Sequence, residues 1–206
     1  MALQTDLAVE DPGGGLTRML EAHRMFLESI YSLMRFLETE VTKRGWDLVR
    51  NGGYSITRNG MGRGLTSFAT ADWVISHAGI AFVPRGQAVL TQRVVTNTVI
   101  PSEGLELLVF QVRWLDKSPE EPVVWRAKLQ VEPEGSEKPR KWEEYQSTVF
   151  ARLEPEPHPA GARSGNTKPG RAVIGGAPIV FTGSFNEVPV TAIQTQDDVV
   201  SQLIEP

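Results

Sequence analysis

The sequence predicts an α+β protein in which a long N-terminal amphipathic helix packs on an antiparallel β-sheet, a meander, and a short helix ends the chain. Apolar residues recur at helical spacing in the early part of the chain. Strictly alternating segments follow in the middle, and a helix-capping motif precedes the last apolar run. With 206 residues and no cysteine, the chain is long enough to bury a core without disulfides.

Four segments of the chain differ in composition. We expect a flexible N-terminus, an α+β core domain, a linker or loop that is rich in proline and glycine and poor in apolar residues, and a C-terminal strand with a short helix. Their bounds are 1–15, 16–153, 154–171 and 172–206.

The N-terminal helix is predicted to begin after three consecutive glycines, because glycine weakens a helix and residues 1–15 contain few apolar side chains. From Leu16 to Val41 apolar residues stand three and four apart, with charged residues between them. Gly45 supplies a stop signal. The helix therefore carries one long apolar stripe.

This stripe must be covered, either by the chain's own sheet or by a partner protein. Packing on its own sheet is the more common arrangement. If a partner covers the stripe, Leu33 and Leu37 are the candidate contacts on the helix. Val199 and Leu203, on the predicted C-terminal helix, are candidate contacts of the same kind.

A β-hairpin is predicted directly after the long helix. Residues 46–50 and 54–58 are strand-like, and the intervening Asn51, Gly52 and Gly53 contain the Asn-Gly pair that favours a tight turn. A glycine-rich stretch follows over 59–64, without a complete phosphate-loop pattern.

The simplest interpretation of this glycine-rich stretch is a surface loop. Successive backbone N–H groups in such a loop can also hold an anion. In that case Arg58 and Arg63 are the candidate anion contacts.

Three alternating segments in the middle of the chain, 107–114, 123–131 and 145–153, predict a β-meander. The first two are joined by a short segment with two prolines and should pair antiparallel. Further strands are predicted over 73–83 and 89–100.

The polar face of this meander carries basic residues that could form a stripe if the strand registers align. A solvated outer face is the usual role of such residues. The alternative is a surface that binds an anionic ligand or a nucleic-acid backbone. The residues concerned are Arg113, Arg126, Lys128 and Arg152.

The C-terminal segment is predicted to contain a strand over 172–181 and then a short helix. Thr195 is the expected N-cap residue, and Asp198 stands at the third helical position, as in a capping box. The helix either docks on the domain or engages another protein.

Catalytic patterns are sparse in this sequence. Asp72, Ser76 and His77 supply the residue types of a hydrolase triad, but the G-x-S-x-G turn is absent. The acidic residues of a metal-dependent nuclease are available only at spacings without a distinctive pattern. These residues are Glu28, Glu38, Asp72 and Glu106.

We therefore expect a non-catalytic accessory or regulatory module that binds a partner protein or a small ligand, without a cofactor or metal. A homo-oligomer is compatible with this expectation. The alternative is a metal-dependent nuclease or a nucleic-acid-binding protein that uses the basic face of the sheet, although the net charge of −4 does not favour broad attraction to nucleic acid.

We also expect a cytoplasmic protein. The chain lacks cysteine, opens without a basic and apolar leader, and has no apolar run of the roughly 20 residues that a membrane-spanning helix needs.

Overall fold

A central antiparallel sheet lies between two helical layers in the part of the chain that the structure describes. The computed structural model describes residues 12–50, 53–58, 75–86, 89–92, 95–114, 122–135, 140–154, 156 and 163–205. The elements are, in chain order, α1 (Pro12–Lys43), β1 (Trp46–Leu48), β2 (Tyr54–Arg58), β3 (Ile75–Pro84), β4 (Val89–Gln92), β5 (Val95–Ile100), β6 (Leu105–Arg113), β7 (Val123–Pro133), β8 (Arg140–Lys141), α2 (Trp142–Arg152), β9 (Ser164–Asn166), β10 (Gly170–Ile174), β11 (Ala177–Pro189), a 3-10 turn (Val190–Ala192), α3 (Gln196–Val199) and a π-helical turn (Val200–Ile204).

The main sheet has eight strands in the order β1-β3-β6-β7-β11-β10, with β2 also on β3 and β9 also on β11. Every pairing in it is antiparallel. A smaller sheet joins β4, β5 and β8. The predicted α+β class, with an N-terminal helix, an antiparallel sheet and a short C-terminal helix, is confirmed.

The predicted pairing of the first two central segments is confirmed by β6 and β7, which pair from Leu105–Val131 to Arg113–Val123. Because side chains alternate between the faces of a sheet, β6 contributes to two cores. Leu108 and Phe110 pack under α1, and Leu107 packs under α2. The sheet is thus covered by helices on both sides, not on one side as the meander prediction implied.

The long helix α1 begins at Pro12, before the three glycines after which its start was predicted. Proline fits the first position of a helix, because its backbone is preset and its missing N–H has no helical partner there. Ile30 is the first buried residue among the described side chains of α1. The second half of α1 therefore lies on the sheet, while the first half is more exposed.

The prediction of a third central strand over 145–153 is wrong, because this segment belongs to α2. Tyr145 and Val149 are buried four residues apart, and Trp142 extends the same side by one turn. Acidic residues occupy the first turn, which the helix dipole favours. The apolar residues of this segment fit the period of a strand as well as that of a helix. The burial of Trp142, one turn before Tyr145, fits the helical period.

The predicted hairpin of β1 and β2 is also wrong, because the two strands pair in succession with the long strand β3. The backbone N–H of Val49 donates to the carbonyl of Ala81 at 3.0 Å, and the N–H of Ala81 donates to the carbonyl of Gly53 at 2.8 Å. The chain therefore leaves β3 after Val49 and returns at Gly53. Asn51 and Gly52 lie outside the described residues.

Three further segments refine the predicted elements. The region predicted as one strand over 172–181 is the hairpin of β10 and β11, which turns at Gly175 and Gly176 with φ of 56° and 77°. The region 89–100, predicted to add one strand, forms β4 and β5 of the smaller sheet. The predicted capping box at Thr195 is confirmed, since both of its hydrogen bonds are present.

The predicted linker over 154–171 contains β9 and a buried residue. Thr167 is 3% exposed, and its N–H donates to the carbonyl of Gly183 at 2.8 Å. Residues 1–11 and 157–162, for which flexibility was predicted, lie outside the described residues. None of the described helices has the length and apolar character needed to cross a bilayer.

Candidate ligand-binding cavity

The basic residues that were predicted to share one face of the sheet are separated in the structure. Arg126 is the cross-strand neighbour of Phe110, which packs under α1, so its side chain is on the α1 side of the sheet. Lys128, two residues along β7, is on the same side. Arg113 is three residues from Phe110 along β6 and therefore points to the opposite, α2 side. Arg152 is on α2 itself. The predicted basic stripe does not exist.

Arg113 has a structural position at the end of α2. It is 4% exposed, donates to the Leu153 carbonyl at 3.1 Å, and its guanidinium lies 3.9 Å from the centre of the Trp125 ring. Gln111 Nε2 donates to the carbonyl of Phe150 at 3.1 Å. The last carbonyls of a helix lack partners within the helix, so these two side chains of β6 hold the C-terminal turn of α2 on the sheet.

The other three basic residues also have local surroundings of their own. Lys128 pairs with Glu106 at 3.0 Å, and Arg152 donates to the carbonyl of Arg171 at 2.6 Å. Arg126 is half-buried, and burial lowers the pKa of its guanidinium below the ordinary value. These contacts are local to the surface and do not build one shared site.

The residues weighed from the sequence as a hydrolase triad or as anion contacts do not form a centre within the described part of the chain. Arg63 and Asp72 lie outside the described residues, as do the side chains of Arg58 and Ser76. His77 is buried on β3. Among the described residues, no three metal-binding side chains come together.

The four residues predicted as a partner interface lie in the core between α1, the sheet and the C-terminal helix. Leu37 and Leu203 are fully buried, and Val199 is 5% exposed. Leu33 is partly buried and packs against the same core. From Ile30 onward the apolar stripe of α1 is therefore covered by its own chain, the more common of the two arrangements considered from the sequence, whereas Leu20 is 57% exposed.

One cavity of about 470 Å³ opens between α1 and the main sheet, beside β2, β3 and the end of β6. Ala78 on β3 faces α1, and its small side chain leaves space beneath the helix. The lining residues are mostly apolar or aromatic: Leu27, Ile30, Tyr31, Met34, Arg35, Tyr54, Ser55, Ala78, Gly79 and Trp114.

An aromatic contact fixes one end of the cavity. The rings of Phe26 on α1 and Trp114, which follows β6, meet edge to face with centres 5.0 Å apart. Such pairs hold their geometry better than aliphatic contacts do. Trp114, which directly follows β6, therefore connects the end of this strand to the middle of α1.

Three larger polar side chains, Tyr31, Arg35 and Tyr54, lie on the solvent side of the cavity. Tyr31 is 65% exposed and Tyr54 is 44% exposed. Tyr54 Oη donates to Glu38 Oε2 at 2.7 Å, and Arg35 Nη1 donates to the same oxygen at 3.3 Å. Burial, followed by the bond to Glu38, raises the pKa of the Tyr54 phenol to about 12. Tyr54 is therefore a neutral donor near pH 7.

This arrangement suits binding of an apolar molecule with a polar end. Ligand pockets are usually concave and apolar, measure roughly 300–1,000 Å³, and carry a few polar groups that fix orientation. The cavity meets each of these criteria, with three of its polar side chains, Tyr31, Arg35 and Tyr54, on the exposed side. Its lining offers apolar contacts inside and hydrogen-bonding groups near the surface.

None of the residues predicted from the sequence as binding or interface contacts lines this cavity. The available signal was Ala78, a small residue in β3 on the side of the sheet that faces α1. Small residues there mark a close approach or a space in the packing. The helix residues of the cavity carried no separate signal, because they belong to the ordinary apolar stripe.

Comparisons of the chain with protein-family models, with curated proteins and with solved structures give no match.

Proposed function

We propose that this protein binds a small, largely apolar molecule in the cavity between α1 and the main sheet. The observation that carries the proposal is the mostly apolar lining of a space of about 470 Å³, with the exposed side chains of Tyr31, Arg35 and Tyr54 on its solvent side. Transfer of apolar surface from water contributes roughly 25 cal/mol per Å², so an occupant of this size gains most of its affinity inside the cavity.

The residues around the cavity support the proposal that a ligand fills this space, which the protein's own side chains leave open. Monomeric cores are close-packed and hold few voids larger than a water molecule. Ile30 and Met34 line the space, yet both are also buried members of the core that joins α1 to the sheet. The cavity therefore continues the core to the surface, where an apolar ligand extends the same packing.

This proposal retains the small-ligand part of the expectation from the sequence. The partner interface predicted from the sequence loses its support at Leu37, Val199 and Leu203, because these residues are buried within the chain. The nucleic-acid alternative loses its support as well, because the four basic residues do not share one surface. Binding of a small molecule is the role that the described residues favour.

The test uses N-phenyl-1-naphthylamine, a neutral apolar dye whose fluorescence rises in apolar cavities. We expect saturable binding of one dye molecule per chain. Ala78→Leu fills the cavity from the sheet side and should abolish the signal. Ala151→Leu is the matched control, because it makes the same change at an exposed position of α2.

Circular dichroism shows whether each variant folds. If Ala78→Leu does not fold, Leu27→Gln replaces it, because Leu27 lines the cavity at a partly buried position. Equal dye binding by the natural protein and by a folded cavity variant would place the dye elsewhere and overturn the proposal.

A further inference from the structure

The charge at the cavity mouth points to a more specific ligand. Arg35 is the one charged residue among the described residues that line the cavity. We infer that the ligand is an amphipathic carboxylate, with its apolar chain inside the cavity and its anionic head at Arg35. This inference rests on the proposed function, since it names the chemical class of the molecule that the same cavity holds.

Arg35 has donors available for such a head group. A guanidinium carries five N–H donors in a planar fork that matches a carboxylate. Among the described residues Arg35 forms one ion pair, a single contact of 3.3 Å to Glu38, and its side chain remains 61% exposed. The guanidinium of Arg35 can therefore donate hydrogen bonds to a second carboxylate without any change in the backbone of α1.

Glu38 does not occupy the place of the ligand. Its Oε2 accepts the shorter bond, 2.7 Å, from the Tyr54 hydroxyl. This bond holds the carboxylate beside Tyr54, and Glu38 is not among the residues that line the cavity, whereas Arg35 and Tyr54 are. Glu38 thus fixes the positions of Arg35 and Tyr54, although its negative charge opposes an anionic ligand to some degree.

A cationic ligand is the opposite possibility, because Tyr31, Tyr54 and Trp114 are aromatic and aromatic cages bind ammonium groups. The guanidinium of Arg35 repels such a cation at the mouth of the cavity. A neutral alcohol fits the apolar interior but leaves the charge of Arg35 unused. The charge of the lining therefore favours the anion over both.

The experiment compares three probes with one apolar chain and different heads: decanoate, 1-decanol and decyltrimethylammonium. Each probe displaces N-phenyl-1-naphthylamine near neutral pH, where decanoate is ionised. We expect decanoate to bind about tenfold more tightly than 1-decanol, as for a charge-assisted hydrogen bond. Decyltrimethylammonium should bind most weakly of the three.

Two substitutions test the role of Arg35. Arg35→Gln should remove the preference for decanoate and leave the affinity for 1-decanol within about twofold. Arg24→Gln is the matched control, because Arg24 is exposed on the same helix, pairs with Glu28 and does not line the cavity. The control should keep the full preference.

Glu38→Gln supplies a test of the opposite sign. It removes the negative charge beside Arg35 and keeps an acceptor for Tyr54, so decanoate should bind several-fold more tightly. Tighter binding of decyltrimethylammonium than of decanoate, or equal binding of all three probes, would overturn the inference while the cavity proposal stands. Failure of N-phenyl-1-naphthylamine to bind in the cavity would overturn the proposed function instead.

Discussion

At the scale of single residues, Tyr54 connects the mouth of the cavity to α1. Its hydroxyl donates to Glu38, and burial together with this bond raises the pKa of the phenol to about 12 from the ordinary 10.0. Because the pKa is raised in the folded state, the contribution to stability is complete below about pH 10 and is lost as the pH rises toward about 12. The hydrogen bond from Tyr54 to Glu38 thus requires the neutral phenol.

We predict that Tyr54 ionises later than an ordinary tyrosine. The phenolate absorbance of the natural protein minus that of Tyr54→Phe should give a single titration near pH 12. The free energy of unfolding should fall between pH 10 and 12 more steeply in the natural protein than in Tyr54→Phe. Glu38→Gln should lower the pKa of Tyr54, because it removes the charge that opposes the phenolate. A midpoint at the ordinary value would contradict the hydrogen bond.

At the scale of elements, α2 depends on the sheet beneath it. Its last carbonyls accept from Gln111 and Arg113, and no side-chain hydrogen bond caps its N-terminus at Lys141. The cation of Arg113 also lies where the dipole of a helix favours positive charge. Side-chain hydrogen bonds from β6 therefore hold the C-terminal end of α2 on the sheet.

We predict that Arg113→Met destabilises the protein by roughly 1–3 kcal/mol, because the Leu153 carbonyl loses its buried donor. The measurement is the free energy of unfolding in urea. Lys128→Met is the control, because Lys128 forms a surface ion pair with Glu106 and should change stability by at most about 0.5 kcal/mol. Equal effects of the two substitutions would contradict the structural role of Arg113.

The elements also show what the sequence can predict. The helix α1 and the pair β6 and β7 are marked by one period over many residues, and Thr195 with Asp198 forms a local motif. The segment of α2 satisfies two periods at once, so the packing of Trp142 decides its state. The Asn-Gly signal near β1 is overridden because β3, with ten residues, pairs with both neighbouring strands.

At the scale of the whole molecule, the cavity could not be predicted because it belongs to no single element. Leu27 and Arg35 come from α1, Tyr54 comes from β2, and Ala78 comes from β3. Their meeting depends on the order of strands in the sheet and on where α1 crosses it. The residue pattern of one segment predicts neither the strand order nor the position at which α1 crosses the sheet. The small side chain of Ala78 is the local feature that matches the space between them.

The same assembly makes the apolar stripe of α1 part of the core, which leads to a prediction about the whole fold. Leu37 is fully buried and packs against other core residues between α1 and the sheet. Leu37→Glu should therefore destabilise the protein by roughly 3–5 kcal/mol, because it places an unpaired carboxylate in an apolar core. Since folded domains are stable by only about 5–15 kcal/mol, a large part of the stability should be lost.

Urea unfolding measures this loss, and analytical ultracentrifugation reports the state of association. Met25→Glu is the matched control, because Met25 lies on the same helix with 63% of its surface exposed, and its change should stay within about 0.5 kcal/mol. If the stripe served a partner protein instead, Leu37→Glu would leave a folded chain of unchanged stability that no longer associates. Loss of folding in Leu37→Glu together with an unchanged Met25→Glu would confirm that α1 is held by its own sheet, and with it the wall on which the cavity depends.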